Sequence, residues 1–340
     1  MFPTPAPGQA EVVAACIRMI VAVLGTCAVG ALVACGGDDE GDGDAPAPKA
    51  ATTVQTPTTE PQPEPADSRP VIGIGEQQTA MFSDPRFSAL AVKHARLVVA
   101  YDVVDVKFER ELTDAWLAGA KKAGVEPFIT FGHSRVKPRK LPTVAEFRAA
   151  FGAFRKRYPQ VRVYAPWNEI NHASQPTHDA PRRAAEYYNV VAAQCEGCTV
   201  LAGDVLDQPG MKRYVQRYRR HLDGSPKTWG LHNYGDANRF RSGGVQELVD
   251  AVKGDIWLTE TGGIVRFGKS FPQDEHRAAR AVRSVLRLAR RTPRVQRVYL
   301  YNWTGSPRDD RFDAGLIASD GTARPAYDAL RAYRRSNRDG

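Results

Sequence analysis

Short hydrophobic runs alternate with longer amphipathic stretches from residue 70 to the end of the chain. The short runs are rich in β-branched and aromatic residues, which is typical of strands that are buried on both faces, as in parallel sheets. Eight such runs are present, at 71–75, 95–104, 125–131, 161–166, 199–203, 228–232, 255–259 and 295–303. Stretches with helical spacing of apolar residues lie between them. The pattern therefore predicts repeated strand–helix units.

One of the amphipathic stretches carries a further helix signal. Thr143 precedes Glu146 by three residues, which is the signature of a capping box, and an apolar stripe follows. Strand–helix units repeated over about 270 residues match the size of a (β/α)8 barrel, which is typically ~250 residues long. An open, doubly wound sheet is the main alternative, but no Gly-x-Gly-x-x-Gly turn follows the first predicted strand. We therefore predict an α/β fold, a TIM barrel, over residues 70–340.

The first 35 residues have the layout of a bacterial export signal. An apolar stretch at 19–34 follows Arg18 and ends in small residues before Cys35. The stretch is shorter than the about 20 apolar residues that a membrane-spanning helix needs. Leu-Val-Ala-Cys at 32–35 resembles the lipobox of bacterial lipoproteins, which implies that Cys35 is acylated after export. An ordinary signal peptide or an uncleaved anchor is the alternative.

Residues 36–69 begin with a cluster of aspartates and continue as a Pro/Thr-rich stretch. Such a composition cannot bury enough apolar surface to fold, so we predict a disordered linker that tethers the barrel to the membrane. The whole chain has a net charge of +9, and the barrel is more basic still because the linker is acidic. Attraction to anionic wall polymers is one interpretation, and solvated arginine-rich helix faces are the other. Export argues against nucleic-acid binding, and we expect a monomer.

Cys195 and Cys198 are the only cysteines outside the predicted signal. One Cys-x-x-Cys pair offers too few ligands for a structural zinc site. Because an exported domain resides in an oxidising compartment, we predict a local disulfide between them, with a thioredoxin-like redox role as the alternative. We predict no metal and no cofactor.

Two of the predicted strands are each followed by a glutamate. Trp167, Asn168 and Glu169 close the fourth predicted strand, and Glu260 follows the seventh. The carboxyl ends of all barrel strands meet at one mouth, so these side chains are expected to lie close together. Glycosidic bond cleavage uses such a pair, one carboxylic acid that protonates the leaving oxygen and one carboxylate that attacks or supports the anomeric centre. Each glutamate taken alone is equally compatible with a surface ion pair.

The two glutamates in this context resemble those of the retaining glycoside hydrolases of clan A, and the chain is similar to families 39 and 5 over essentially all of 70–340. The resemblance implies that Glu169 is the acid/base, that Glu260 is the nucleophile, and that Asn168 binds the sugar 2-hydroxyl. His232 and Tyr234, after the sixth predicted strand, resemble the clan's His-x-Tyr pair. Tyr234 would then orient Glu260, while His232 is as well explained as a hydrogen-bonded core residue.

Further residues are predicted to line the mouth. Trp167 is expected to raise the pKa of Glu169 by making the cleft apolar. Trp303 is expected to be an aromatic platform for sugar, with packing inside the barrel as the alternative. Arg96 resembles the clan's arginine that braces the nucleophile, and His133 follows the third strand. Weaker candidates for sugar contact are Tyr101, Asp102, Glu76 and Asp204.

The sequence thus predicts a retaining glycoside hydrolase that acts on an oligo- or polysaccharide outside the cell, lipid-anchored or secreted. A carbohydrate-binding envelope lipoprotein without catalysis is one alternative. A transglycosylase that remodels envelope polysaccharide is another, because it would use the same two carboxylates. The histidines at 172 and 178 do not have metal-ligand spacing, and this chemistry requires no metal.

Overall fold

The computed structural model describes residues 69–336. The predicted signal with Cys35 and almost all of the predicted linker lie outside these residues, so both stay predictions. The sheet strands are β1 Val71–Gly75, β2 His94–Ala100, β3 Glu126–Gly132, β4 Val163–Ala165, β5 with two segments Thr199–Val200 and Asp204–Leu206, β6 Thr228–His232, β7 Asp255–Thr261 and β8 Val295–Tyr301.

Each strand pairs in parallel with the next one along the chain, and β8 pairs in parallel with β1. β4 pairs with the first segment of β5, and β6 pairs with the second. The residues between the two segments also pair with β6, because Ala202 N donates to Thr228 O at 2.9 Å and Gly230 N donates to Gly203 O at 3.1 Å. The two segments are therefore one interrupted strand, and the sheet closes into a barrel. The predicted TIM barrel is confirmed.

The interruption of β5 brings this strand against the loop that follows β4. Gly203 has a φ of 138°, a conformation that side chains disfavour. Directly after it, Asp204 O accepts a hydrogen bond from Ile170 N at 2.9 Å. The break thus fixes the turn that contains Glu169.

Nine α-helices lie among the described residues, most of them around the barrel. They are α1 Pro85–Leu90, α2 Lys107–Ala123, α3 Val144–Arg157, α4 Pro181–Gln194, α5 Met211–Arg219, α6 Tyr234–Arg239, α7 Gly243–Ala251, α8 Glu275–Arg291 and α9 Pro325–Ser336. The predicted capping box begins α3, because Thr143 N donates to Glu146 Oε2 at 2.7 Å and Glu146 N donates to Thr143 Oγ1 at 3.2 Å. None of the helices in 69–336 has the length and apolar character needed to cross a membrane.

Two layers of apolar packing hold the barrel. The larger one lies between strands and helices, where three phenylalanines of α3 surround Phe131 with ring centroids 5.0–6.1 Å away. Each buried phenylalanine side chain contributes about 1.5–3 kcal/mol relative to exposure. The smaller one, the barrel floor, fills the interior of the barrel with Phe128, Val163, Ala165, Leu201, Trp257 and Tyr299.

Several strand ends differ from the sequence prediction, and two of the differences lie close to the mouth. β2 ends at Ala100 rather than at residue 104, because turn hydrogen bonds follow it, from Val103 N to Ala100 O and from Asp105 N to Asp102 O. β7 continues to Thr261, so Glu260 lies inside the strand and not after it. Cys195 and Cys198 are joined by a disulfide with a Cα–Cα distance of 5.5 Å, at the start of β5 and away from the mouth.

Candidate active site

Glu169 occupies a strained turn between β4 and α4. Its φ is 45°, in the left-handed region that non-glycine residues enter rarely and at a cost of about 1–3 kcal/mol. The turn is held by hydrogen bonds from Asn168 N to Phe131 O at 2.7 Å and from His172 N to Glu169 O at 2.8 Å. Such strain persists where the surrounding structure imposes it, typically at functional residues.

Glu260 is aimed into the barrel by an irregularity in β7. The pairing of β7 with β6 shifts between Leu231, which faces Leu258, and His232, which faces Glu260. In a regular strand Thr259 and Glu260 would point to opposite faces. The shift is a bulge, and bulges re-aim side chains. Both side chains consequently point inward, where Glu260 accepts from Arg96 and Thr259 donates to Asp204, the buried partner of Arg96.

Two donors hold the Glu260 carboxylate. Arg96 Nη1 donates to Oε2 at 2.8 Å, and Tyr234 Oη donates to Oε1 at 3.1 Å. The sequence analysis expected both Arg96 and Tyr234 to contact Glu260, and both do.

The two glutamates meet at one point of the mouth. One oxygen of Glu169, one ring nitrogen of His232 and one oxygen of Glu260 all lie within 4.8 Å of one another. Only 5% of Glu169 and 4% of Glu260 are exposed. The convergence expected of two residues distant in the sequence is therefore present.

Arg96 is the hub of the buried charges. Besides Glu260, its guanidinium donates to Asp204 Oδ2 at 2.8 Å, to Asn168 Oδ1 at 2.7 Å and to Thr130 Oγ1 at 3.0 Å. It is 1% exposed. Because a guanidinium presents five N–H donors in a fixed plane, one side chain can order acceptors from β3, β5, β7 and the turn after β4 at once.

His232 lies between the two glutamates. Its Nδ1 is 3.2 Å from Glu169 Oε1 and 3.9 Å from Glu260 Oε2, and its Nε2 is 3.6 Å from Asp204 Oδ2. Burial lowers the pKa of His232, but the charge of Glu260 and the hydrogen bonds of Asp204 and Glu169 raise it to about 9. The imidazolium form is thus favoured at neutral pH.

The electrostatic expectation for Glu169 was wrong in sign. Burial raises the pKa of Glu169, but the hydrogen bond and charge of His232, with the charges of His172 and Arg96, bring it below its usual value. The apolar neighbour on which the expectation depended, Trp167, is outweighed by these cations.

Neither predicted tryptophan faces the mouth. Trp167 is fully buried, stacks on Tyr187 at 5.1 Å and donates to Gln175 Oε1 at 3.2 Å, so it supports the Glu169 turn from below. Trp303 is 2% exposed and packs edge-on against Phe87 at 5.6 Å. The predicted sugar platform is therefore wrong, because β8 ends at Tyr301 and the strand alternation does not extend to Trp303.

The other candidate residues are buried or half-buried, and they differ in which side chains they contact. His133 is half-buried, with Nδ1 3.1 Å from Gln175 Oε1. Asn168 turns its Oδ1 to Arg96, which leaves its amide nitrogen for other partners. Tyr101 is 6% exposed and stacks on Trp167 at 6.0 Å. Glu76 is 1% exposed and accepts three backbone N–H groups, which joins the loops after β1 and β8.

Asp204 has a role that its sequence context did not indicate. It is fully buried, and its Oδ1 accepts from Thr259 Oγ1 at 2.7 Å. Burial raises its pKa, but the charge of Arg96 and the hydrogen bonds of His232 and Thr259 lower it well below its usual range. Asp204 is therefore a buried counter-ion of Arg96 and not a sugar contact. No sequence signal distinguishes the two roles.

Tyr301 and His172 were not singled out as site residues. Tyr301 is 4% exposed, and burial together with the charges of Glu260 and Glu76 raises its pKa well above the usual value. Tyr301 is thus the aromatic residue of β8 that lies close enough to Glu260 and Glu76 for their charges to act on its hydroxyl. The alternation of β8, which places Tyr299 inside the barrel, could have indicated it. His172 Nδ1 lies 3.7 Å from Glu169 Oε2.

Glu169, His232 and Glu260 form the only cluster of three metal-ligand side chains within 69–336. The groups do not suit a cation. Arg96 already lies 2.8 Å from Glu260, and a second positive charge there would be repelled. The raised pKa of His232 also disfavours the neutral imidazole that a metal ligand must be.

Residues 144–329 match the model of the family described as glycosyl hydrolase catalytic core. No curated protein is similar enough in sequence to count as a match.

Solved structures share the fold. A GH39 β-xylosidase from Caulobacter crescentus has a TM-score of 0.58 at 17% identity, over 80% of this chain and 72% of its own. GH5_18 from Streptomyces cattleya, in complex with GlcNAc, has a TM-score of 0.58 at 18% identity, over 80% and 81%. An α-L-arabinofuranosidase from Thermotoga maritima has a TM-score of 0.58 at 15% identity, over 79% and 70%. At these identities the likeness is one of fold.

Proposed function

The chain belongs to the glycosyl hydrolase catalytic core family, and from this premise we propose that it is a retaining glycosidase that cleaves O-glycosidic bonds of an oligo- or polysaccharide. Glu169 is the acid/base and Glu260 is the nucleophile. The observation that carries the proposal is the distance between them, with one oxygen of each within 4.8 Å. Retaining enzymes hold their carboxyl groups ~5–5.5 Å apart, and inverting enzymes need ~6.5–9.5 Å to admit a water.

In the first half of the reaction, an oxygen of Glu260 attacks the anomeric carbon and the bond to the leaving oxygen breaks. Arg96 and Tyr234 hold the attacking carboxylate in a single orientation, which reduces the entropic part of the barrier. Glu169 gives a proton to the leaving oxygen, so the products are an alcohol and a glycosyl ester of Glu260.

In the second half, Glu169 accepts a proton from a water molecule, which attacks the anomeric carbon from the face that the leaving group has left. The ester bond to Glu260 breaks and the carboxylate is restored. Two inversions at one carbon return the sugar with its original configuration.

The lowered pKa of Glu169 and the raised pKa of His232 support a resting enzyme in which His232 carries the acidic proton. Formation of the ester removes the negative charge of Glu260, which lies 3.9 Å from His232 Nδ1. Loss of that charge lowers the pKa of the imidazolium, so its proton passes along the hydrogen bond to Glu169 as the leaving oxygen needs it, between two heavy atoms that are 3.2 Å apart. Proton delivery is thereby coupled to nucleophilic attack.

The test compares Glu169→Gln with Glu260→Gln on a panel of aryl glycosides and polysaccharides. Loss of the acid/base is expected to lower kcat by about 10²–10⁴-fold. Loss of the nucleophile is expected to lower it by on the order of 10⁴-fold or more. Azide is expected to restore part of the activity of the Glu169 variant and to yield a glycosyl azide of retained configuration.

Full turnover by either variant, or a first product of inverted configuration in the NMR spectrum of the unaltered enzyme, would contradict the proposal. Product analysis with and without an added acceptor sugar separates hydrolysis from transglycosylation. Glu146→Gln, at the exposed capping box of α3, is the matched control and is expected to leave kcat unchanged. The predicted export and lipid anchoring would place the activity outside the cell, and they rest on the resemblance at Cys35.

A further inference from the structure

We propose that Asp207 is a positioning residue of this active site, because its carboxylate holds the turn that places the Tyr234 hydroxyl on Glu260. The inference rests on the proposed function and adds a residue that acts through the backbone rather than by contact with substrate. Asp207 directly follows the second segment of β5, and Tyr234 is the first residue of α6.

Three hydrogen bonds tie Asp207 to both sides of this turn. Its Oδ1 accepts from Gly235 N at 3.0 Å and its Oδ2 accepts from Asp236 N at 2.8 Å. Its own backbone N donates to His232 O at 3.0 Å. The residue at the N-cap of α6, Asn233, makes no capping bond with its side chain, so Asp207 satisfies these N–H groups from another strand.

Two glycines make room for the Asp207 side chain. A Cβ at Gly235 would lie 2.8 Å from Asp207 Oδ2, and a Cβ at Gly244 would lie 2.7 Å from Asp207 Cβ. Neither glycine has a left-handed φ, so close approach to Asp207 is what requires glycine at both places. The surroundings are therefore built to hold the carboxylate at the start of α6.

The clamp acts on a contact of the nucleophile. Tyr234 Oη donates to Glu260 Oε1 at 3.1 Å, and Tyr234 directly precedes the two N–H groups that Asp207 binds. A displacement of about 1 Å in a group that positions the reacting atoms can lower the rate by about 10²-fold. If the turn is released, the Tyr234 hydroxyl is therefore expected to shift away from Glu260 and kcat is expected to fall.

The carboxyl group of Asp207 also titrates near neutrality. Burial raises its pKa to about 7, with a further contribution from the charge of Asp236, while the N–H groups of Gly235 and Asp236 and the charge of Arg241 oppose the rise. Protonation leaves one oxygen as a hydroxyl, a weaker acceptor for an N–H group. The clamp on the turn is thus tightest above this pKa.

The first experiment is a double-mutant cycle between Asp207→Asn and Tyr234→Phe, because coupling energies isolate residues that act through one another. Asp207→Asn alone is expected to lower kcat about 10-fold with little change in KM. In the Tyr234→Phe background the same substitution is expected to lower kcat only about twofold. The pH profile of kcat should also lose its inflection near 7 in the Asp207→Asn variant.

A second pair of variants leaves Asp207 in place. Gly235→Ala pushes its Cβ against the carboxylate, whereas a Cβ at Gly243, in the first turn of the next helix, meets nothing within 4 Å. Gly235→Ala is expected to reproduce the loss of kcat, and Gly243→Ala is expected to match the unaltered enzyme. Thermal unfolding checks that each variant is folded, and this pair decides the question if Asp207→Asn does not fold.

Equal loss of kcat from Asp207→Asn in both backgrounds, or equal kcat for the two alanine variants, would overturn the inference. Its failure is distinguishable from failure of the proposed function. If Glu260→Gln is inactive while Asp207→Asn keeps full kcat, only the clamp is refuted. If Glu260→Gln is active, the proposed function itself falls.

Discussion

The interior of the barrel has two layers that are equally buried and chemically opposite. The barrel floor is apolar and contains Phe128, Leu201 and Trp257. The layer above it is ionic and contains Arg96 and Asp204, which are 1% and 0% exposed. The Arg96 guanidinium lies 5.8 Å from the centroid of the Phe128 ring, where the two layers meet. Burial alone therefore does not tell a structural residue from a functional one.

The layers differ in how many partners each side chain needs. A floor residue needs matching volume, and many apolar side chains would supply it at a small cost. A residue of the ionic layer needs particular partners, because a buried charge left unpaired costs several kcal/mol. Arg96 has acceptors on Glu260, Asp204 and Asn168, so removal of one side chain leaves several groups uncompensated.

The largest difference between the layers is expected for Arg96→Met. The substitution removes the guanidinium that pairs with both Glu260 and Asp204, so we expect the free energy of unfolding to fall by about 3–5 kcal/mol. We expect kcat to fall by about 10²-fold or more because Glu260, the proposed nucleophile, loses a fixed donor. Urea unfolding and initial rates measure both effects. Arg297→Met is the matched control, since Arg297 pairs with Glu126 at the other end of the barrel. An equal loss of kcat in both variants would contradict the assignment.

A smaller effect, confined to stability, is expected for Leu201→Ala in the barrel floor. Truncation of a buried leucine leaves a cavity and lowers the free energy of unfolding by about 2–5 kcal/mol. Because Leu201 belongs to the apolar cluster, kcat per folded molecule is expected to stay within about twofold of the unaltered enzyme. A loss of kcat comparable to that of Arg96→Met, measured below the unfolding transition, would show that the layers are not separable.

The smallest effect concerns the pH dependence of stability. Folding raises the pKa of His232 from 6.5 to about 9, so the native state binds its proton more tightly than the unfolded chain. This contribution is fully present below pH 6.5 and is lost as the pH rises through about 9. Because one pKa unit corresponds to about 1.4 kcal/mol, the change is of the order of 3 kcal/mol. His232→Asn is expected to flatten the profile of melting temperature against pH in this range. His178 is a partly exposed loop residue, so His178→Asn is the control and is expected to leave the profile unchanged. Identical profiles for His232→Asn and the unaltered protein would refute the charged state of His232.

The sequence was sufficient for the barrel and for the residues that meet at its mouth. Alternation of apolar runs with amphipathic stretches reflects burial on both faces of each strand, which is a local requirement visible in the pattern. Glu169 and Glu260 follow from the same logic, because every strand of a barrel delivers its carboxyl end to one mouth. Contact of Arg96 and Tyr234 with Glu260 was expected from the resemblance to clan A, and both contacts are present.

The sequence was not sufficient for the roles of the tryptophans or for the charge of Glu169. Trp167 and Trp303 are both buried, and whether an aromatic side chain faces the mouth or the helices depends on where the strand ends. The pKa of Glu169 depends on His232, which is 63 residues away along the chain and 3.2 Å away in space. Distances of this kind are set by strand register and are not encoded in any local pattern.

Chain pattern alone thus decided the architecture and the meeting of Glu169 and Glu260 at one mouth, since both follow from which residues avoid water and from the direction of parallel strands. Tertiary structure alone decided the bulge that turns Glu260 inward, the left-handed turn at Glu169 and the clamp of Asp207 on the Tyr234 turn. The physical reason is that electrostatic and hydrogen-bond energies depend on ångström-scale distances between strands. Hydrophobic burial depends mainly on which face of a strand a residue occupies.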